Sequence, residues 1–143
     1  MKLGKRIVRL ALFVVTSLML GPGLASAQVD LAKVLVGRWE GEIAMRFTKG
    51  TNPGLVLIIT SVKEDAGKWS GNARSGTRTG QAPVTVKIDN SGKRPSLRWT
   101  GGTGIVYEVN LFDEKTLSGT ATLTREMAGS TERERPVKLE RKD

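Results

Sequence analysis

The sequence predicts an all-β protein, an eight-stranded antiparallel up-and-down barrel that follows a short N-terminal helical turn. One observation is that apolar and polar residues alternate with a period of two, typical of half-buried strands, in segment after segment. Another is that short turns separate these segments, which favours antiparallel neighbours because parallel pairs need long crossovers. The third is that eight strands with one apolar face can close and leave no exposed edge. A two-sheet β-sandwich is the alternative layout.

The first 27 residues have the composition of a cleavable signal peptide. A basic start is followed by the apolar run Leu10–Leu20 and by the small residues Ala25-Ser26-Ala27. The apolar run is too short to span a bilayer core, which needs roughly twenty residues. We therefore expect cleavage after Ala27 and export by the general secretory route, to the periplasm or the exterior. Residues 28–143 then form a single domain with no stable membrane span.

The domain begins with a helical turn and its clearest strand. The turn is expected at Asp30–Val36, with Asp30 as the N-cap and Gly37 ending it. The first strand is expected at Arg38–Thr48, where Trp39 shares an apolar face with every second residue that follows. Charged residues occupy the opposite face, which argues against a barrel whose exterior meets lipid.

The remaining strands repeat this alternation between turns. The first of these turns is expected at Lys63–Gly67, and Asn90-Ser91-Gly92 has the composition of a hairpin turn. The expected strands are Leu55–Val62, Lys68–Ser75, Val84–Ile88, Leu97–Trp99, Ile105–Leu111, Leu117–Thr124 and Val137–Arg141.

A basic-Trp-x-Gly pattern occurs three times. It stands at Arg38–Gly41, Lys68–Gly71 and Arg98–Gly101. One interpretation is a set of three stacking platforms for a ligand. The favoured interpretation is packing: each Trp points into the core, and the Gly two residues later makes room on the same side where the sheet bends.

The start of the domain resembles that of the lipocalins and their calycin relatives. The resemblance lies in a helical turn followed by Gly37-Arg38-Trp39 at the head of the first strand. It implies an antiparallel barrel whose Trp closes one end, with a basic residue of the last strand packed across it. Arg141 has the matching parity, so the resemblance implies a cation–π contact between Arg141 and Trp39. It also implies a compact, exported bacterial barrel.

The composition offers little for catalysis, metal binding or nucleic-acid binding. The chain has neither His nor Cys, so the commonest general base and the commonest metal ligands are missing. We expect no enzyme activity, no catalytic residue, no metal site and no cofactor. The formal net charge of +9 falls once the basic signal peptide is removed, and later basic residues alternate with acidic ones. We expect no nucleic-acid partner.

Two functional hypotheses remain, and the interior of the barrel separates them. In the first, the barrel binds a small apolar ligand in an internal cavity of a few hundred Å³ or more. In the alternative, a filled core supports an interaction or inhibitor module that binds an envelope protein through the loops Ser75–Gln81 and Met127–Glu134. The candidate ligand-binding interior is Ile43, Met45, Phe47, Leu57, Trp69, Val86, Trp99, Tyr107 and Val109.

Overall fold

The strands form one closed barrel in a computed structural model that describes residues 31–44, 54–129 and 132–143. Every strand pairs antiparallel with its neighbours in sequence, and β1 pairs with β8 to close the barrel. The predicted fold class is confirmed, because a sandwich would have two separate sheets. The strands are β1 Gly37–Ile43, β2 Leu55–Asp65, β3 Lys68–Gly76, β4 Gln81–Asp89, β5 Ser96–Thr100, β6 Val106–Asp113, β7 Thr116–Thr122 and β8 Glu134–Lys142.

Several predictions lie outside the described residues. They are the signal peptide with its cleavage site after Ala27, the N-cap Asp30, and the interior candidates Met45 and Phe47. Residues 31–35 are helical and precede β1, so the described part of the N-terminal helical turn lies where it was expected. No helix within the described ranges is long and apolar enough to cross a membrane.

Strand ends differ from the sequence expectation at several positions, and two of the differences change a connection between strands. The strand expected to end at Val62 continues to Asp65, because residues 63–65 go on pairing with β3. The turn is therefore only Ala66 and Gly67, both with positive φ (50° and 78°), as a two-residue hairpin requires. The second difference is a one-turn helix, Arg125–Ala128, between β7 and β8, whose N-cap Thr124 accepts a hydrogen bond from the backbone N–H of Met127.

The barrel has two unlike ends. The closed end carries the helical turn of residues 31–35 and the connections at 66–67, 90–95 and 114–115. The open end carries the connections at 77–80 and 101–105, the last residues of β1 and β7, and the first residues of β2 and β8. The interior from the middle of the barrel to the closed end is filled by large, fully buried side chains, which include Leu35, Trp39, Leu57, Val86, Leu97, Val109, Leu117 and Leu139.

Arg141 joins three elements at the closed end. Its guanidinium donates hydrogen bonds of 2.6 Å to the carbonyl oxygens of Val34 and Val36, which the helical turn leaves without intrahelical partners. The same group lies 5.6 Å from the centre of the Trp39 ring. Trp39 in turn donates from Nε1 to the carbonyl of Leu35 at 3.0 Å. The last strand, the first strand and the helical turn are thus held by one network.

Gly37 is required by this network. Its φ of +147° is one that residues with a side chain rarely adopt, and a Cβ at this position would lie 3.2 Å from Nη2 of Arg141. The Gly, the Trp and the Arg therefore form one packing unit, although they come from opposite ends of the domain.

Candidate functional site

A cavity of about 550 Å³ occupies the open end of the barrel. Its walls come from the ends of the strands and from the connections that follow them, so it lies above the filled part of the core. The larger apolar side chains that line it are Ile43, Leu55, Ile105, Tyr107 and Met127. The polar ones are Ser75, Thr77, Gln81 and Thr103.

Small residues create this space. Six of the residues that line the cavity are small, and two of them, Ala82 and Gly101, continue inward positions that carry Val or Trp deeper in the core. The other four are Gly54, Gly76, Gly80 and Gly102. Ala82 shows the change within one strand: Val86 is fully buried, Val84 is half-buried, and Ala82 on the same face is exposed at the mouth. The interior therefore empties toward the open end because side-chain volume decreases there.

The barrel wall is thinly paired beside the cavity. β4 pairs with β5 only through Lys87–Asp89, whereas all five residues of β5 pair with β6. The part of β4 from Gln81 to Val86 therefore has no ladder partner on its β5 side within the described barrel. We call this stretch the seam.

Trp99 crosses the seam inside the barrel. Its Nε1 donates to Oγ of Ser75 at 3.0 Å, so a β5 side chain reaches past β4 to β3. Its ring also stacks on Tyr107, with centroids 4.8 Å apart and planes inclined by 18°. Ser75 is the buried polar residue of the described core, and its hydroxyl oxygen accepts this hydrogen bond from Trp99. Tyr107 thus forms part of the base of the cavity, and Trp99 supports the Tyr107 ring from the core.

The hydroxyl of Tyr107 faces the cavity. It has no hydrogen-bond partner among the described residues, and no buried side-chain oxygen or nitrogen of that part of the chain lacks a partner. The hydroxyl must therefore be accessible, and Tyr107 lines the cavity. Burial of the ring raises the pKa of the phenol above its ordinary value, so the group keeps its proton and can donate it.

The rim between β3 and β4 is held by its own hydrogen bonds. Nη2 of Arg74 donates to the carbonyl of Gln81 at 2.8 Å, and Nε2 of Gln81 donates to the carbonyl of Thr77 at 2.6 Å. The Thr77 amide donates to the carbonyl of Gly80 at 2.9 Å. This side of the cavity is consequently preorganised.

The seven predicted interior residues that the structure describes fall into three groups. Ile43 and Tyr107 line the cavity. Trp69 is half-buried against the core near the closed end. The third group is buried in the core and does not line the cavity: Leu57, Val86, Trp99 and Val109.

The packing interpretation of the Trp-x-Gly pattern describes Trp39 and Trp99 well. Both are buried, and a Cβ at Gly41 would collide with the backbone of Lys138 at 1.8 Å. At Gly101 a Cβ would lie 3.2 Å from the Tyr107 ring, so this glycine makes room for the ring that stacks on Trp99.

Sequence reasoning missed most of the cavity wall. It named Ser75–Gln81 and Met127–Glu134 only as contact candidates of the alternative, an interaction module, and Ser75, Gln81 and Met127 line the cavity. The available signal was a run of small residues at inward positions near strand ends, of which Ala82 and Gly101 are examples.

Other sites are weaker. Within the described ranges, no group of three or more His, Cys, Asp or Glu side chains could hold a metal ion. Two further depressions lie on the outer surface, one beside Arg94 and Phe112 and one between Glu40 and Lys138. Comparison of the chain with models of protein families, with curated proteins and with solved structures finds no match.

Proposed function

We propose that the chain is an exported, non-enzymatic, lipocalin-like barrel that binds a small hydrophobic molecule in the cavity at its open end. The cavity carries this proposal. Its volume of about 550 Å³ lies within the range of small-molecule sites, and apolar side chains with a few polar groups line it, as such sites require. The arrangement of Gly37, Trp39 and Arg141 at the closed end supports the lipocalin-like part.

The cavity also favours ligand binding over the alternative of an interaction module. That alternative needs a filled interior and free connections between strands, yet Thr77 and Met127, which lie in two of these connections, are part of the cavity wall. The core below supplies rigidity, because Trp39, Leu57 and Val109 are buried almost completely. A filled core beneath an open, apolar cavity is a suitable geometry for binding a ligand without catalysing a reaction on it.

A neutral fluorescent probe, N-phenyl-1-naphthylamine, tests this function. We expect its fluorescence to rise and saturate when it is titrated with the mature protein. The variant Ala82→Phe places a large ring at an inward, exposed position of the mouth and should weaken probe binding at least about tenfold. Its matched control is Thr85→Phe, which adds the same ring to an exposed residue on the outer face of the same strand.

The two variants make the result specific. If Ala82→Phe and Thr85→Phe bind the probe as the unmodified protein does, the cavity is not the site and the proposal fails. Native mass spectrometry of the protein as purified gives a second measurement, since a bound apolar molecule should be carried by the unmodified chain and lost from Ala82→Phe.

A further inference from the structure

The described wall of the cavity contains no charged side chain. Its polar groups are the hydroxyls of Ser75, Thr77, Thr103 and Tyr107 and the amide of Gln81. A carboxylate placed against such a wall would lose its hydration without gaining a cation, which is costly. An uncharged oxygen loses much less and can accept a hydrogen bond there.

Nearby arginines do not change this balance. Arg74 lies on the outer face of β3, and its guanidinium donates to the carbonyl of Gln81. Arg78 lies close to Gly54, but its side chain is not part of the cavity lining. Neither guanidinium lines the space that a ligand would fill.

Two hydroxyls at the base of the cavity can donate. Ser75 accepts from Trp99 Nε1 and so keeps its own proton for another acceptor. Tyr107 has no partner among the described residues, and its ring is fixed by the stack on Trp99. Both residues line the cavity, and both side chains are otherwise almost fully buried.

We infer that the cavity selects an uncharged apolar molecule that carries a hydrogen-bond-accepting oxygen, which the hydroxyls of Ser75 and Tyr107 hold, and that it rejects the corresponding carboxylate. This inference rests on the proposed function, because it names the ligand class of the same site. An alcohol or ester with an alkyl chain fits this class, whereas a free fatty-acid anion does not.

Competition between two molecules with the same alkyl chain tests the inference. N-phenyl-1-naphthylamine bound to the mature protein is displaced with 1-decanol or with decanoate at neutral pH, each below its aggregation concentration. We expect decanol to displace the probe at concentrations at least about tenfold lower than decanoate, which corresponds to about 1.4 kcal/mol. Equal displacement, or better displacement by decanoate, overturns the inference and leaves the proposed function standing.

A variant of Tyr107 then tests whether its hydroxyl is responsible for the preference for decanol. Tyr107→Phe removes only the hydroxyl and keeps the ring that stacks on Trp99. We expect it to weaken decanol about fivefold, the usual worth of one neutral hydrogen bond, and to change the affinity for the probe much less. Unchanged decanol affinity overturns the role of Tyr107.

Ser75→Thr and Ser75→Ala provide the corresponding pair for the second hydroxyl. Thr retains the oxygen that Trp99 requires, so it should keep most of the affinity for decanol, whereas Ala should lose about fivefold. If the unmodified protein does not bind the probe at all, the result is a different one, because it refutes the proposed function together with the inference.

Discussion

Removal of the Arg141 guanidinium tests the account of the closed end. The substitution Arg141→Met keeps an unbranched apolar stem of β8 and deletes the charged head. That head donates hydrogen bonds of 2.6 Å to the carbonyls of Val34 and Val36 and lies over the ring of Trp39. The variant should therefore loosen the attachment of the helical turn, which keeps its Leu35 contacts, and leave the strand ladders intact.

The expected magnitude follows from these contacts. Two charge-assisted hydrogen bonds contribute about 1.5 kcal/mol each, and the cation–π contact contributes about 0.5–1 kcal/mol. The guanidinium is half-exposed, so solvent screening lowers the sum, and the released carbonyls regain water. We expect the free energy of unfolding to fall by about 2–3 kcal/mol.

Urea unfolding followed by tryptophan fluorescence measures this change. The matched control is Arg98→Met on β5, because Arg98 pairs with Glu108 at 3.3 Å on the outer face, where both side chains are more than half exposed. Such an exposed pair contributes about 0–1 kcal/mol. If Arg141→Met costs no more than Arg98→Met, the closing network does not stabilise the barrel.

Gly37→Ala approaches the same network from the opposite side. A methyl group would meet Nη2 of Arg141 at 3.2 Å on a backbone with φ of +147°. We expect a loss of about 1–3 kcal/mol in the same assay. In the Arg141→Met background the steric part of this loss should shrink, because the guanidinium that the methyl group meets is gone; fully additive losses would refute the contact.

Two further predictions concern export and alkaline pH. When the full chain is secreted by a bacterial host, N-terminal sequencing of the exported protein should begin at Gln28, and recovery of Met1 in that fraction would contradict cleavage after Ala27. Tyr107 is the chain's single tyrosine, and burial raises its pKa in the folded state above the unfolded value of about 10. The stability that the protonated phenol contributes is therefore complete below about pH 10 and is lost as the pH rises through the folded-state pKa. Over this range, the free energy of unfolding of Tyr107→Phe should depend less on pH than that of the unmodified protein.

The sequence was sufficient to predict the barrel because the alternation of apolar and polar residues identifies the inner face of each strand. In β3, for example, Gly71, Ala73 and Ser75 face inward and Asn72 and Arg74 face outward, as the period of two requires. Short connections then leave one simple order of antiparallel pairing. The inner face of each strand and the order of the strands are local properties, and a single sequence displays them.

The cavity could not be predicted in the same way, because it depends on residues that meet only after folding. Ala82 and Gly101 are small inward residues in different hairpins, and neither alone indicates a space. Trp99 shows the same dependence: the sequence left it open to line a ligand site or to pack in the core, and its indole turns toward Ser75 and fills the core, as the favoured packing interpretation expected. Which way a large side chain turns is decided by its neighbours across the barrel.

The ladder between β4 and β5 ends early, and the side chains that stabilise the barrel there also belong to the proposed site or support it. The sequence gives no sign of the seam, since Leu97 and Trp99 continue the normal alternation. Trp99 compensates for the missing ladder by bonding to Ser75 and stacking on Tyr107, and both of these hydroxyl-bearing residues line the cavity. The side chains that hold the seam together are therefore also the ones that fix the polar base of the cavity. The barrel can leave its mouth unfilled because Arg141 and Trp39 close the far end independently, so the two ends can be altered separately.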